Sequence, residues 1–298
     1  MNVTIVITAA ADYRECFRET ADMLVHGLAE LGHTAAGRDT AQPGTLNIYL
    51  GWMNMRELGI QPIPGSIIYN QEYLVVRRPP YADLAEQLAN LAKTCQIWDY
   101  CEANQSYMRS TFAMRSTFVP MCYTPNLQRI HTAPRQGIDV LFYGAISPRR
   151  QHTLDELRAA GINVQSLWHV WGRERDAVIA RSKLVLNVHY WPSHPFEEVR
   201  VSYLLNNSIA VLAEVGSGTI ISENMRKSVW GVHYAQLAGS AKFLLRHDGI
   251  RRNLARQGHE IFSRSDIVSY LRLALAPSFP DSPWPPGGKY PVAAAGVG

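Results

Sequence analysis

The chain has 298 residues, of which 47% are hydrophobic and 18% charged, and its formal net charge is +4. This balance is typical of a globular protein with one large or two medium domains, and it excludes an intrinsically disordered chain. The mild positive charge suits a small anionic ligand but lacks the clustered basic residues of a nucleic-acid-binding protein. No run of roughly 18 apolar residues occurs, so we expect no transmembrane segment.

The opening segment and the cysteines indicate a cytoplasmic protein. The residues MNVTIVITAAADYRE lack a basic stretch at their start, so they predict a first strand and not a signal peptide. The four cysteines form no CxxC pair, which is typical of reduced thiols, and the scattered histidines favour no metal site. His152, His169 and His189 are candidate ligand contacts, although ordinary surface or core histidines are the simpler interpretation.

Short β-rich runs alternate with helical patterns in the first 124 residues, which predicts a parallel sheet covered by helices. The pattern after the first strand has Phe17, Leu24 and Leu28 at helical spacing and ends at Gly32, where a glycine cap is favoured. Strands are predicted over residues 3–8, 46–50, 66–69, 96–100 and 117–121, and helices over 16–31, 81–93 and 102–110.

A second βα block follows a stretch of different composition. Residues 123–138, YTPNLQRIHTAPRQGI, lack periodicity, so we predict a first domain at 1–124, a linker at 125–138 and a second domain at 139–276. The tail at 277–298, with PPGG and AAAGVG, is expected to be disordered. Two such blocks place a ligand cleft at the carboxyl ends of their strands. In the second block, strands are predicted over 139–143, 164–168, 184–189 and 209–213, and helices over 149–160, 174–180, 198–206, 237–246, 250–261 and 265–276.

The first candidate site is DVLFYGAISPRRQHTLDEL, in which a strand ends at Gly144 and a helix opens with two arginines. Glycine allows close approach of the backbone, and a helix N-terminus presents free N–H groups and partial positive charge. Ser147, Arg149 and Arg150 add hydroxyl and guanidinium donors. The segment predicts a cradle for a diphosphate, with an ordinary βα turn and solvated arginines as the alternative.

The second candidate is the segment WHVWGRERD, at the end of a predicted strand on the same edge of the sheet. Trp168, His169 and Trp171 are candidates for stacking on a nucleotide base, and the backbone at Gly172 for reading the edge of that base. The alternative is that the tryptophans belong to the core, as large aromatic side chains commonly do.

The third candidate is WPSHPFEEVRVSYLL, which places two acids and an arginine at the start of a predicted helix. The helix dipole favours a carboxylate in the first turn, and this alone is sufficient to explain Glu197 or Glu198. Arg200 adds a second interpretation, in which it pairs with one carboxylate and holds it as an acceptor for sugar or ribose hydroxyls. Ser202 and Tyr203 lie one turn further along.

Residues 139–261 resemble the C-terminal, donor-binding domain of GT-B-fold glycosyltransferases, and more narrowly a bacterial branch related to group 1 transferases and CgeB-like proteins. The matching stretches are DVLFYGAISPRRQHTLDELRAAGINV, RDAVIARSKLVLNVHYWPSHPFEEVRVSYLLNNSIAVLAE and FLLRHDGIRRNLARQGHEIF. The first half matches more loosely, through IIYNQEYL, IWDYCEANQSYM and YTPNLQRI. The resemblance covers most of residues 1–262 and implies an α/β fold of two Rossmann-like domains facing across a cleft.

The resemblance also implies a reaction: transfer of a sugar from a nucleotide-diphosphate sugar, with retention of configuration and without an essential metal or cofactor. In such enzymes a helix dipole and basic side chains offset the charge of the leaving diphosphate. By that comparison Arg149 or Arg150 would activate the leaving group, Arg200 would assist, and Glu197 would orient hydroxyls of the donor sugar.

Group 1 transferases carry an acid–x7–acid pattern, from which this chain departs. Glu197 stands near the position of the first acid, whereas Tyr203 or Ser202 stands where the second acid belongs. Three explanations stay open: Glu198 substitutes from a different turn, hydroxyl groups hold the ribose, or turnover is impaired.

The acceptor is expected to lie against loops of the first domain, and it is a glycan, a lipid-linked precursor, a natural product or a protein. Asp12 follows the first strand, where the resemblance places the general base of an inverting enzyme, and the alternative is a helix-capping acid. The other candidate acceptor contacts are Tyr49, Gly51, Trp52, Asn54 and Glu72.

Two other classes of protein compete with a glycosyltransferase. The missing second acid is compatible with a nucleotide-sugar-binding or regulatory module that lacks turnover. The βα alternation is also found in nicotinamide-dependent dehydrogenases, but TAAADYRE and GAISPRR contain no GxGxxG motif after their strands, which argues against that class.

Overall fold

A computed structural model describes residues 1–75, 83–191 and 196–276 of the chain. Within these residues the chain forms two parallel sheets with helices packed on them, one sheet in each half. The α/β class predicted from the sequence is therefore confirmed. The predicted loop at 192–195, the start of the helix predicted from residue 81 and the tail at 277–298 lie outside the described residues.

The first sheet is built from six short strands that all run parallel. Its described elements are β1 (Asn2–Ile7), α1 (Arg18–Glu30), β2 (Thr34–Arg38), β3 (Leu46–Leu50), β4 (Ile67–Asn70), α2 (Leu84–Leu91), β5 (Gln96–Asp99), α3 (Glu102–Phe112) and β6 (Thr117–Phe118). The strand order is β2-β1-β3-β4-β5-β6, with Val3 of β1 opposite Leu46 of β3.

The second sheet has five parallel strands in the order β11-β10-β9-β7-β8. The described elements of this half are β7 (Ile138–Tyr143), α4 (Pro148–Ala159), β8 (Val164–Leu167), α5 (Gly172–Ala180), β9 (Ser182–Asn187), α6 (Glu198–Asn206), β10 (Val211–Glu214), α7 (Glu223–Ser228), β11 (Trp230–Val232), α8 (Leu237–Arg246), α9 (Asp248–Phe262) and α10 (Ile267–Ala274). The predicted bounds of α6 and α8 agree with these residues.

Three elements were missed by the sequence reasoning: β2, α7 and β11. Strand β2 has the sequence TAAGR, which is poor in the β-branched and aromatic residues that strands favour, and it is largely exposed at the edge of its sheet. Helix α7 has six residues and β11 has three, too few to show a hydrophobic period.

The strands in the middle of each sheet are buried on both faces, as parallel strands covered by helices must be. In β9 the side chains of Leu184, Val185 and Leu186 are fully buried. One continuous apolar cluster includes Val3 and Leu24 of the first half together with Val185 and Leu204 of the second. The two halves therefore share buried apolar surface as well as a linker.

The last described helix, α10, returns to the first half of the chain, although the division drawn from the sequence assigns it to the second domain. It packs against α1 and β6, and Gly27 of α1 makes the close approach possible. A Cβ at Gly27 would lie 2.7 Å from Leu271 and 2.8 Å from Ile267. The C-terminal part of the second half thus stabilises the first.

The linker between the two halves is held by two asparagines at the end of α6. Asn206 accepts the backbone N–H of Thr124. Asn207 accepts the N–H groups of Arg129 and Ile130 and donates to the carbonyl of Leu127. Because these side chains satisfy buried linker groups, the segment has a defined path despite its irregular sequence.

The order of the strands indicates where a ligand-binding cleft is expected. In the second sheet β7 lies between β8 and β9, so the chain changes direction there and leaves a crevice at the carboxyl ends of β7 and β9. In the first sheet β1 lies between β2 and β3 in the same way. The segments that follow β7, β9 and β1 are therefore the ones expected to line a cleft.

Candidate functional site

A cavity of about 440 Å³ lies between the two halves of the chain, a volume within the range of small-ligand sites. Its described walls combine eight aromatic side chains with seven charged ones. The described lining residues from the first half are Cys16, Glu19, Gln71, Glu72, Tyr73 and Tyr100; those from the second half are Tyr143, Gly144, Ala145, Arg150, Trp168, Trp171, Arg175, Tyr190, Phe196, Glu197, Glu198, Val199, Arg200 and Tyr203.

Glu197 is held at the cavity as a fixed, ionised carboxylate. Its Oε1 accepts from Nη2 of Arg150 at 3.2 Å, and its Oε2 accepts from Nδ2 of Asn187 at 2.8 Å and lies 3.1 Å from Nδ1 of His189. Burial alone would raise the pKa of Glu197, but His189, Arg200 and Arg150 together lower it to about 2. Glu197 is therefore an acceptor of hydrogen bonds throughout the neutral range.

Arg150 is 4% exposed and is held by three different groups. It donates to the carbonyls of Val188 and Ala145, both at 2.8 Å, and to Glu197. Burial, together with the positive charge of Arg200, lowers the pKa of Arg150 to about 10. Two guanidinium groups that repel each other at one cavity wall favour an anion between or beside them.

Arg200 is the less constrained of these two cations. Its Nη1 donates to Oδ1 of Asn187 at 3.2 Å, and its guanidinium lies near the rings of Phe142 and Tyr143. In the part of the chain that the structure describes, no carboxylate pairs with it within 4.0 Å. The predicted pair between Arg200 and a neighbouring glutamate is thus replaced by Arg150 with Glu197, and most donors of Arg200 are left for a ligand.

Arg149 lies outside the cavity, contrary to the role in the diphosphate cradle that the sequence suggests. Its guanidinium makes two hydrogen bonds to the buried carboxylate of Glu214, at 2.7 and 2.5 Å, and stacks 3.6 Å from the centroid of the Tyr234 ring. Successive helical residues point in directions about 100° apart, so Arg149 and Arg150 cannot both face the cleft. Arg149 joins α4 to β10 instead.

Four other candidates for donor binding have structural partners and do not line the cavity. Ser147 is the N-cap of α4 and accepts the N–H of Arg150. His169 contacts Tyr13 of the first half, with 3.2 Å between Nε2 and the hydroxyl. Gly172 starts α5 with a φ of +53°, and Ser202 donates to the carbonyl of Val199 within α6.

Tyr203 and Trp171 do line the cavity. The hydroxyl of Tyr203 donates to Oδ2 of Asp176 at 2.7 Å, and its ring lies 4.6 Å from the guanidinium carbon of Arg175. The position of the missing second acid thus holds a phenol whose hydrogen is already engaged by a carboxylate.

An ion pair that the sequence did not reveal joins the two halves at the cavity. Nη2 of Arg175 lies 2.7 Å from Oε1 of Glu19 and 2.9 Å from Oδ1 of Asp176. Burial lowers the pKa of Arg175, but the charges of Glu19, Tyr143 and Asp176 more than offset this and raise it. Both partners are solvated in the unfolded chain and 156 positions apart in sequence, so no local pattern points to the pair.

Most of the predicted acceptor contacts are core or loop-forming residues. The hydroxyl of Tyr49 accepts the N–H of Ile63, and Nε1 of Trp52 donates to Oδ1 of Asn70. Nδ2 of Asn54 donates to the carbonyls of Thr8 and Gly51. Their position at the end of β3 or just after it suggested that they face the cleft. Their side chains instead hold loops of the first half together.

Of the two acids predicted near the acceptor, Glu72 lines the cavity and Asp12 does not. Asp12 is exposed in the first turn of a 3-10 segment, Ala11–Phe17, makes no capping hydrogen bond and does not line the cavity. Neither the general-base role nor the capping role predicted for Asp12 therefore has support in this geometry. Glu72, in contrast, lines the cavity, and burial raises the pKa of its carboxyl.

Polar atoms without partners mark the cavity as a place for a ligand. Three buried side-chain atoms there have no hydrogen-bond partner among the described residues: Oε1 of Gln71, the hydroxyl of Tyr143 and Nε1 of Trp171. Buried polar groups are normally satisfied, because leaving one unpaired costs roughly 1–3 kcal/mol. A molecule in the cavity would satisfy these atoms.

Two features are absent from the described residues. Within 1–75, 83–191 and 196–276 no helix combines the length and the apolar character needed to cross a membrane. In the same ranges no group of three His, Cys, Asp or Glu side chains is arranged to hold a metal ion.

No protein-family model matches the chain. Among curated proteins it is similar to the uncharacterized proteins L140 and L137 of Acanthamoeba polyphaga mimivirus. The match to L140 has 24% identity over 184 residues, 60% of this chain and 56% of L140. The match to L137 has 28% identity over 131 residues, 42% of this chain and 17% of L137. The chain thus spans about half the length of L140, and the bacterial, CgeB-like branch stays a prediction.

Solved structures decide the fold. The chain is similar to Anabaena HepE in complex with UDP-glucose (TM-score 0.58, 12% identity), to sucrose-phosphate synthase from Thermosynechococcus elongatus (0.59, 10%) and to WaaG, a glycosyltransferase involved in lipopolysaccharide biosynthesis (0.56, 9%). Each alignment covers 92% of this chain and 98% of the other. The chain has the GT-B fold.

In this GT-B fold the cleft between the two halves contains Glu197, Arg150 and Arg200 from the second half, as the sequence suggested, and Glu72 from the first. Sequence reasoning missed Glu19, Asn187 and Arg175. Asn187 is the last residue of β9, so the switch point of the second sheet is the signal that could have identified it.

Proposed function

We propose that the chain is a glycosyltransferase that moves a sugar from a nucleotide-diphosphate sugar to an acceptor. The observation that carries this proposal is the pair of guanidinium groups, Arg150 and Arg200, at the wall of the interdomain cavity beside Gly144. Arg200 has N–H donors left for an anion. The positive charges of Arg200 and Arg150 repel each other, and a bound anion would offset this repulsion.

In such a reaction the residues of the cavity would have different roles. Arg200, supported by Arg150, would offset the negative charge that develops on the leaving diphosphate. Such electrostatic stabilisation of the transition state is usually the largest contribution to catalysis. Glu197, ionised and fixed by its donors, would accept hydrogen bonds from hydroxyls of the donor sugar. Trp171 or Tyr190 would stack on the nucleotide base.

Two finer points belong to the proposal. We propose that the reaction needs no metal ion, because the guanidinium groups of Arg150 and Arg200 line the cavity in which the diphosphate would bind. We also propose retention of configuration, which the resemblance to group 1 transferases implies; the anomeric configuration of the product, read by NMR, tests it. The similarity to HepE, described in complex with UDP-glucose, supports a nucleotide sugar as the donor.

The test is a thermal-shift screen with UDP, GDP, dTDP and CMP and their sugars, followed by an assay for sugar transfer and donor hydrolysis. We expect one nucleotide to raise the melting temperature, and Arg200→Ala to abolish this shift. Arg252→Ala is the matched control, because the side chain of Arg252 is 80% exposed on α9 and distant in sequence from the cleft residues. A shift that Arg200→Ala leaves unchanged would refute the proposal.

One observation favours a second candidate, a nucleotide-sugar-binding module without turnover. Tyr203 stands at the place of the second acid, and its hydroxyl is engaged by Asp176. Under this candidate the nucleotide still binds through Arg200, but no donor in the panel is transferred or hydrolysed.

A further inference from the structure

Strand β10 and the loop that follows it hold His189 next to Glu197. The carboxylate of Glu214, the last residue of β10, accepts the backbone N–H of His189 at 3.1 Å. The ring of His189 lies between two side chains, with Nδ1 3.1 Å from Oε2 of Glu197 and Nε2 3.2 Å from Oγ1 of Thr219. His189 is 1% exposed, so these contacts fix both its backbone and its ring in the interior.

Thr219 is itself fixed by a tight turn over residues 216–219. The backbone N–H of Gly216 donates to Oγ1 of Thr219 at 2.9 Å, and the N–H of Thr219 donates to the carbonyl of Gly216 at 3.2 Å. One residue further along, the carbonyl of Ile220 accepts the N–H of Phe196 at 2.9 Å. Because Phe196 directly precedes Glu197, the loop after β10 supports the glutamate both through the backbone and through the ring of His189.

The chemistry of the three side chains determines where their hydrogens lie. Glu197 is ionised at neutral pH, because its pKa is lowered to about 2, and a carboxylate only accepts hydrogen bonds. Nδ1 of His189 must therefore carry a hydrogen and donate it to Oε2. The hydroxyl of Thr219 accepts the N–H of Gly216 and has one hydrogen of its own to donate to Nε2. The donors thus run in one direction, from Thr219 through His189 to Glu197.

Glu197 connects these two residues to the cavity. Neither His189 nor Thr219 is among the described residues that line the cavity, whereas Glu197 is. Arg150 and Asn187 also donate to the carboxylate of Glu197, so the hydrogen bond from His189 sets its orientation together with those two groups. His189 and Thr219 can therefore act on a ligand through Glu197, without touching it.

We propose that His189 and Thr219 are positioning residues for recognition of the donor sugar. This inference rests on the proposed function, in which Glu197 accepts hydrogen bonds from hydroxyls of that sugar. Thr219 fixes the ring of His189, and His189 holds the carboxylate of Glu197 in the orientation that the sugar hydroxyls meet. Since the same proposed function assigns the diphosphate to Arg200, the two residues should affect binding of the sugar and not of the nucleotide diphosphate.

The first experiment compares two matched pairs of probes, UDP with UDP-glucose and GDP with GDP-glucose, by calorimetry on the full chain. We expect His189→Phe and Thr219→Val each to weaken binding of the nucleotide sugar about tenfold, the value of one hydrogen bond to a charged group, while affinity for the nucleotide diphosphate stays the same. Thr219→Ser keeps the hydroxyl and should bind both probes as the wild type does. Thr153→Val is the matched control: this buried threonine of α4 donates to the carbonyl of Arg149, and its substitution should change neither affinity.

The second experiment tests the contact without any ligand. NMR of the full chain with isotope-labelled histidine shows which ring nitrogen of His189 carries a hydrogen, and His189→Phe identifies the signals. At neutral pH we expect the hydrogen on Nδ1 and none on Nε2. Thr219→Val should shift the Nε2 signal, whereas Thr153→Val should leave it in place.

Three results would overturn the inference: a hydrogen on Nε2, equal losses of affinity for the nucleotide sugar and the nucleotide diphosphate, or a nucleotide-sugar affinity that survives both His189→Phe and Thr219→Val. If no nucleotide of the thermal-shift screen binds to the wild type, the proposed function is refuted instead. The NMR measurement would still decide whether Thr219 and His189 donate toward Glu197.

Discussion

The guanidinium of Arg200 lies directly over the Cα of Gly144. A Cβ at position 144 would stand 2.6 Å from Nη2 and 3.3 Å from Cζ of Arg200, and the φ of Gly144 is +129°, where other residues are strained. The glycine that follows β7 is thus favoured for two reasons, its backbone conformation and the space that the guanidinium of Arg200 occupies at the cavity wall.

We expect Gly144→Ala to displace Arg200 and so to weaken nucleotide binding at least tenfold, with a loss of about 1–3 kcal/mol in the free energy of unfolding from backbone strain. Calorimetry with the nucleotide and urea denaturation measure the two effects. Gly239→Ala is the matched control: Gly239 lies in α8 with nothing within 4 Å of an added Cβ, so alanine there should stabilise by up to about 1 kcal/mol. Equal effects of the two substitutions would contradict the role of Gly144.

Arg149→Ala should affect stability and leave nucleotide binding intact. Removing this guanidinium leaves the carboxylate of Glu214 buried without its partner, which costs about 2–4 kcal/mol. Below the lowered melting temperature the folded variant should bind the nucleotide with wild-type affinity. A variant that keeps its stability but loses nucleotide binding would show that Arg149 contributes to the diphosphate site, as the sequence predicted.

The pair Glu19–Arg175 should couple the two halves of the molecule. We expect Glu19→Gln and Arg175→Met each to lower the free energy of unfolding by about 1–3 kcal/mol, because each leaves a partly uncompensated charge. In a double-mutant cycle measured by urea denaturation, the two effects should overlap by about 1 kcal/mol or more. Additive effects would mean that the contact contributes no coupling.

Glu197→Gln should destabilise the protein at neutral pH and have a smaller effect in acid. The pKa of Glu197 is lowered to about 2 in the folded chain, below its unfolded value of about 4.3, so its stabilisation is present above about pH 4.3 and is lost as the pH falls toward 2. We expect a difference of about 1–3 kcal/mol at pH 7 that narrows by about pH 3, measured by urea denaturation. A pH-independent difference would show that packing, not charge, is lost.

Glu198→Gln should raise the free energy of unfolding, in contrast to Glu197→Gln. Burial raises the pKa of Glu198 to about 7, above the unfolded value of about 4.3, so the folded wild type loses stability as the pH rises through this window. The glutamine variant escapes this loss. It should be more stable than wild type by about 1–3 kcal/mol at pH 8 and nearly equal to it at about pH 4.

Glu197 and Glu198 show which properties of the site the sequence predicted and which it did not. Their type and position at a helix start pointed to the cleft edge, and both Glu197 and Glu198 line the cavity. Burial and then Glu102 raise the pKa of Glu198, whereas His189 and Arg150 lower that of Glu197. These effects depend on other segments, so the sequence WPSHPFEEVR does not distinguish the fixed carboxylate from the titrating one.

The acceptor side was harder to predict than the donor side. Tyr49 lies near the end of β3, and Trp52 and Asn54 follow that strand, yet their polar atoms find partners in Ile63, Asn70 and backbone carbonyls. Glu72 follows β4, has no such side-chain partner among the described residues and lines the cavity. Which polar group is already satisfied is a property of the assembled loops.

By itself the sequence determined the α/β class and the alternation of strands and helices, because hydrophobic period and helix caps act over a few residues. It also determined that glycine and arginine follow β7. Only the tertiary structure decided that Arg150 and Arg200 face the cavity while Arg149 pairs with Glu214, and that Glu19 reaches Arg175 across the cleft. Such choices depend on which distant groups share a low-dielectric space, and only the folded chain brings those groups together.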